Sequence, residues 1–340
     1  MQIKKTFFYI LTAIVTMAGS LIHTNAYAGD TWAKERAKAK AMVTDEKLLS
    51  EITFLTDTIC QGRASGTRGS VEAAMWIRRK FESAGLIRIT ESWTPGFSIR
   101  PDMRGHNVIG MLPGAKSLPR DRYIIVGSHY DHLGFLDGKL YPGADSNASG
   151  VAAMTNLAEM FGAMRKMGKI YDSNIIFVAF DAKEYDLKGS GALWDLIQYG
   201  GLRNPLTGET ITSDKITLMV NIDQIGSSLA PIRKEREDYM IMLGTSSLKK
   251  DKRNILENCN IQENIGLDIG LDYYGSENFT KVFYRLSNQR IFIENNIPAV
   301  VFTSGITMNN NKTWDNAESL NMEVFRKRIC LMYHWIEKML

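Results

Sequence analysis

Residues 122–131, RYIIVGSHYD, carry no charge from Tyr123 to Ser128 and then place a histidine and an aspartate at their end. An apolar run that does not alternate with polar residues is what a strand covered on both faces requires. The same composition recurs in HNVIGML at 106–112, NIIFVAFDA at 174–182, ITLMVNIDQIG at 216–226, DYMIMLG at 238–244 and IPAVVFTSG at 297–305. Helical spacing of apolar residues fills the intervals, over Asp45 to Cys60, Ser149 to Met167 and Ser190 to Tyr199. The stretch SVEAAMWIRRKFESAG predicts a helix from an N-capping Ser70 to a terminating Gly85. Strands alternating with helices predict an α/β fold: a single domain with a central mixed, largely parallel sheet flanked by helices on both faces.

The amino-terminal residues carry Lys4 and Lys5, an apolar run from Phe7 to about Ile22, and then Ala26-Tyr27-Ala28. That order predicts a cleavable signal peptide over residues 1–28, hence export to the periplasm or outside the cell. A membrane anchor is the competing reading, but the run sits at the short end of the ~17–25 residues a span needs. Residues 29–44 are expected to form an N-terminal arm and residues 45–340 the folded domain. The net charge of +4 over 340 residues gives no argument for nucleic acid or an acidic membrane as partner. Once the leader is gone no membrane association is expected. Cys60, Cys259 and Cys330 are too few for more than one disulfide, and their spacing is not that of a zinc-thiolate site.

Polar, metal-capable residues stand just past the apolar stretch in several of these runs. His129 and Asp131 end the first, Glu184 follows the NIIFVAF run, Asp223 follows LMVNI, and Asp145 lies in the loop YPGADSNASG. Each alone has an ordinary explanation, as a hydrogen-bonded histidine, a turn aspartate or a helix cap. Strand carboxyl ends in open α/β sheets border the ligand crevice, so together these side chains converge on one place. A divalent metal is the simplest reason to gather an imidazole with carboxylates, and Asp131 is placed to orient the His129 ring.

The motifs resemble those of the secreted zinc aminopeptidases with two co-catalytic metals, the superfamily of bacterial leucyl aminopeptidase, glutamate carboxypeptidase and glutaminyl cyclase. GSHYDHLG resembles its His-x-Asp motif, PGADSNASGVAA its bridging-aspartate loop, FVAFDAKEYDLKGS its Glu-Glu motif and VNIDQIG its later aspartate. RGHNVIGMLPG is similar to the strand before the first motif, and the likeness runs from about Ile59 to Leu340. The resemblance implies a zinc-exopeptidase-like fold, with His129 and Asp223 on one metal, Asp145 bridging two, and Glu184 on the other.

Three departures accompany it. The histidine expected to complete the second metal site is replaced within SGITMNNNKTWDNAESLN, where Asn311 takes its position, or Asn309 in a shifted alignment. LSNQRIF puts Asn288 and Gln289 where the family carries an acid and a histidine. Lys183 occupies the position of the family's general-base glutamate, and a protonated lysine cannot take a proton from water. Lys183 is therefore expected to pair with carboxylates, and its charge to stand in for a missing cation.

The resemblance with these losses implies a zinc-dependent exopeptidase acting on peptide N-termini, with one zinc per chain and weakened activity. An inactive relative that binds a peptide or another small molecule in the same cleft is the alternative. Glutaminyl-cyclase-like acyl transfer is a minor one, since the histidine and base of that branch are missing. A serine hydrolase is not supported, because no Gly-x-Ser-x-Gly elbow occurs.

Overall fold

A computed structural model describes residues 32–115 and 122–340. The expected leader at residues 1–28 lies outside the described residues. Helix α1, Ala33–Ala41, belongs to a first unit that ends at Met42. The body described below runs from Val43 to Leu340.

Its elements in chain order are α2 (Asp45–Thr56), α3 (Arg68–Ala84), β1 (Gly96–Arg100), β2 (Met103–His106), β3 (Val108–Leu112), β4 (Tyr123–His129), β5 (Gly134–Leu136) and β6 (Lys139–Tyr141). There follow α4 (Ser149–Lys166), β7 (Asn174–Phe180), α5 (Lys188–Gln198), β8 (Ile216–Ile222), β9 (Tyr239–Leu243) and α6 (Ile255–Gln262). The chain closes with β10 (Asp268–Gly270), α7 (Glu277–Arg285), α8 (Arg290–Glu294), β11 (Ala299–Thr303) and α9 (Met322–Met339).

Seven strands form one sheet in the order β10-β9-β11-β8-β4-β7-β3. The centre is parallel: β4 pairs with β7 and β8, and β8 with β11. β3 runs antiparallel to β7 at one edge, and β9 antiparallel to β11 near the other. The sheet is therefore mixed, as its sequence predicts. Every residue of β4 and β7 is buried, which accounts for the lack of polar alternation.

Side chains of Ile109, Met111, Ile125, Ile176 and Val178 pack on Leu193 and Ile197 of α5 and on Phe292 of α8. The opposite face carries Phe177, whose ring centroid lies 6.1 Å from that of Phe81 in α3, and Phe302, 5.2 Å from Trp335 in α9. Helices thus cover both faces.

Two local details refine the reading. The cap of α3 is Thr67 and not Ser70: the Thr67 hydroxyl accepts the Ser70 N–H at 3.2 Å, so the helix starts earlier than its apolar pattern shows. Gly85 does end it, in the left-handed region at φ 86°, where a side chain is strained. No helix among the described residues is long and apolar enough to cross a membrane. None of the three cysteines is in a disulfide, and Cys60 and Cys259 are buried.

Parallel register places the ends of β4, β7 and β8 side by side. His129 is level with Phe180, and Gly127 with Asn221 two residues before Asp223. Beyond those ends the chain turns into the loops that carry the polar residues.

Candidate active site

His129 is the last residue of β4 and fully buried. Its Nε2 lies 3.4 Å from Asp223 Oδ1, and its Nδ1 lies 3.1 Å from the Asp131 carbonyl and 3.6 Å from Asp131 Oδ1. Asp131 Oδ2 accepts the backbone N–H of Glu184 at 3.1 Å, tying the end of β4 to the loop after β7. In that loop Lys183 Nζ donates to Glu184 Oε1 at 3.1 Å. Ser287 Oγ donates to Asp223 Oδ2 and accepts from Asn221 Nδ2 at 2.7 Å. The structure thus brings together His129, Asp131, Lys183, Glu184 and Asp223 from three strand ends.

The charges are mutually supporting. Burial works to lower the His129 pKa, but Asp223 and Asp131 outweigh it and raise it to about 9. Burial likewise opposes an ionised Asp223, yet His129, Lys183 and the Ser287 hydroxyl hold its carboxyl far below the usual carboxylate range. For Lys183, burial is overruled by Asp223 and Glu184, which keep the ammonium above its ordinary pKa. Lys183 is therefore a cation at neutral pH, as its carboxylate surroundings require.

Asp145 stands elsewhere. Its Oδ1 accepts the N–H groups of Gly226 at 2.9 Å and Ser227 at 3.2 Å and the Ser149 hydroxyl at 3.1 Å. Burial and the neighbouring Asp315 raise its pKa to about 7. The carboxylate supports the turn that follows β8, and the structure does not bring it to the His129–Asp223 pair, as a bridging role needs. The physical reason lies outside its loop: Asp315 holds the backbone N–H groups of Asp145 and Ser146 at 2.9 and 3.0 Å and sets which way each side chain faces.

The residue of that loop that is hydrogen-bonded to the cleft lining is Ser146. Gln224 Nε2 donates to Ser146 Oγ at 3.3 Å and to Asn310 Oδ1 at 2.8 Å. Gln224, Asn310 and Asn311 line a cavity of about 200 Å³ together with Lys183 and Asp223, and Leu243, Tyr273, Phe283, Leu286, Val301 and Ile306 are also in its lining. Of the two asparagines proposed for the lost histidine, Asn311 lines this cavity; the Asn309 N–H turns instead onto Thr307 Oγ1 at 3.2 Å. A larger groove of about 1050 Å³ lies between Arg88 and Pro205, but none of these polar residues lines it.

Arg63 escaped the sequence reading. Arg63 is fully buried and donates to the carbonyls of Tyr130, Leu55, Pro142 and Gly143 at 2.6–2.8 Å, clamping the end of β4 to the Asp145 loop. Its only signal was the loop sequence GRASGT. Asn288 and Gln289 are buried behind Ser287, and neither amide atom of Asn288 has a hydrogen-bond partner. Burial and Arg63 push the His132 pKa well below its ordinary value, so its imidazole is neutral.

A model of peptidase family M28 matches residues 107–328, a stretch that holds every one of these polar residues except Arg63. The chain belongs to peptidase family M28. A probable zinc metalloprotease of the fungus Pyrenophora tritici-repentis is 27% identical over 195 residues, which is 53% of this M28 chain and 40% of that relative's own length. Among solved structures, the LapA aminopeptidase of Legionella pneumophila has a TM-score of 0.65 at 19% identity, covering 90% of this chain and 75% of that one. A glutaminyl cyclase of Macrostomum lignano has a TM-score of 0.67 at 15% identity, covering 90% and 92%. At these identities the likeness to solved structures is one of fold.

The zinc metalloprotease kinship of family M28 implies zinc, so the residues present must be tested against it. Zinc takes four ligands in a tetrahedron, or three with one open position. Among the described residues no three His, Cys, Asp or Glu side chains stand close enough to hold an ion. Asp145 Oδ1 is committed to two backbone amides and the Ser149 hydroxyl while its Oδ2 is buried without a hydrogen-bond partner, Asn311 is a neutral amide, and an ammonium stands beside Glu184. The residues of this M28 chain do not fit the metal pair its motifs imply.

Proposed function

We propose that this protein uses an M28 peptidase cleft to bind the amino end of a peptide whose first residue is apolar, without carrying the hydrolytic half of the site. The observation that carries the reading is the cavity lined by both charged and apolar side chains. Asp223 and Lys183 are the charged side chains of its lining, and because Lys183 is already paired with Glu184, Asp223 is the acceptor offered to a ligand's ammonium. Leu243, Phe283, Leu286 and Val301 in the same lining offer an apolar side chain a surface to pack on. Hydrolysis needs a base to deprotonate water, a contribution of about 100- to 10,000-fold in rate, and Lys183 in ammonium form supplies none. A leader of the predicted kind would deliver such a protein to the periplasm or the medium, where free peptides occur.

A second reading is favoured by one feature. His129 Nε2 is buried without a hydrogen-bond partner and lies 3.4 Å from Asp223, the disposition of two ligands of a single ion. A one-zinc exopeptidase with slow turnover follows from it.

Calorimetric titration with leucyl dipeptides and their N-acetylated counterparts separates the two. The proposal expects heat of binding for the free amino end, none for the acetylated one, and recovery of both peptides intact. Equal binding of both forms would overturn amino-end recognition. Release of free leucine that stops on adding a chelator would establish the second reading.

A further inference from the structure

We infer that two N–H donor groups, the Lys183 ammonium and the Gln224 side-chain amide, take over the structural work of a metal pair, so that the cleft is assembled without any ion. The geometry is complementary. Buried carboxylates gathered from separate strands repel one another and need a countercharge. Lys183 provides it alongside His129: its ammonium lies 3.1 Å from Glu184, whose N–H donates to Asp131, and it lines the same cavity as Asp223.

In the same cavity lining, Gln224 Nε2 bridges two oxygens, Ser146 Oγ at 3.3 Å and Asn310 Oδ1 at 2.8 Å. It thereby joins the loop before α4 to the loop after β11, a connection that a shared cation would otherwise make. The Gln224 backbone N–H is itself fixed, donating to Asn147 Oδ1 at 2.8 Å, so the amide is held in place. Both donors are covalently part of the chain and cannot be removed by dilution or chelation. A second consequence concerns selectivity: a divalent ion entering the cluster meets a positive charge already there.

The inference is independent of peptide binding, because its readouts are melting temperature and metal uptake. Wild type, Lys183→Met and Lys183→Arg are melted in chelator and in excess zinc, and each is titrated with cobalt while visible absorption is followed. Wild type is expected to melt at one temperature in both solutions and to develop no cobalt band. Lys183→Met is expected to melt several degrees lower in chelator, to regain part of that loss in zinc, and to develop the band. Lys183→Arg, which keeps the charge, is expected to follow wild type.

A wild type that loses several degrees in chelator, or shows the cobalt band, would overturn the inference. So would a Lys183→Met protein indistinguishable from wild type in all three measurements. If Lys183→Met does not fold in chelator, the two wild-type measurements still decide, and Gln224→Met tests the second donor in the same way.

Discussion

Asp315 Oδ1 accepts the backbone N–H of Asp145 at 2.9 Å, across 170 positions of sequence. Its other oxygen takes the Ser146 N–H at 3.0 Å and its carbonyl takes the Ala144 N–H at 3.0 Å. One buried aspartate from the loop before α9 therefore dictates the course of the loop before α4. An Asp315→Ala exchange leaves two buried N–H groups without acceptors, at about 1–3 kcal/mol each. Urea unfolding should show a loss of about 2–5 kcal/mol, and Asp315→Asn, which keeps one acceptor oxygen, a smaller one. A loss under about 0.5 kcal/mol for the alanine variant, the range of ordinary surface changes, would show that the clamp is not what holds the loop.

Asp145 is a structural carboxylate with a distinctive pH signature. Its pKa rises from 3.8 to about 7, through burial and then Asp315. Folding thus disfavours the ionised form. The cost is absent below about pH 4, where folded and unfolded chains are both protonated, and grows until about pH 7. Asp145→Asn keeps an acceptor for Gly226 and Ser227 and abolishes the titration. Stability curves for the two proteins should diverge in favour of the variant between pH 4 and 8, by up to about 4 kcal/mol. Parallel curves would contradict this placement of Asp145.

Lys183 and Asp223 bound the stable range from opposite sides. The raised Lys183 pKa contributes stability that is present at and below its ordinary pKa and lost as pH climbs through the higher folded value. The depressed Asp223 pKa contributes stability that is present above its ordinary value of 3.8 and lost as pH falls toward the lower folded one. Ser287→Ala removes the hydroxyl that donates to Asp223 and should weaken binding of a free amino end about tenfold, or ~1.4 kcal/mol. Unchanged affinity in calorimetry would remove Asp223 from the binding site.

Arg63 joins four backbone carbonyls, of which that of Gly143 also accepts the Ala148 N–H at 3.1 Å. Arg63→Met strands these buried acceptors and should cost about 3 kcal/mol or more, visible as lost near-ultraviolet dichroism or low soluble yield. A variant that melts within a few degrees of wild type would show that the clamp is dispensable.

How far the sequence reaches is clear from particular residues. β4, β7, β8, β9 and β11 all fall within apolar runs that could be read directly, because burial on both faces leaves a strong one-dimensional signal. The short β5–β6 hairpin and the three-residue β10 gave none, being half-exposed and brief. The family was legible from motif order. The direction of Asp145 was not, because it depends on amides at 226 and 227 and a carboxylate at 315, and no local pattern carries that information. Lys183 was conspicuous beside Glu184, whereas the part played by Gln224 became visible only when Ser146 and Asn310 were seen on either side of its amide.

Turnover of leucine p-nitroanilide by the wild-type protein in excess zinc tests the central claim most directly. With Lys183 held as an ammonium against Glu184, no zinc-dependent rate above the uncatalysed background is predicted. Sustained zinc-dependent release of p-nitroaniline, abolished by chelator, would contradict it.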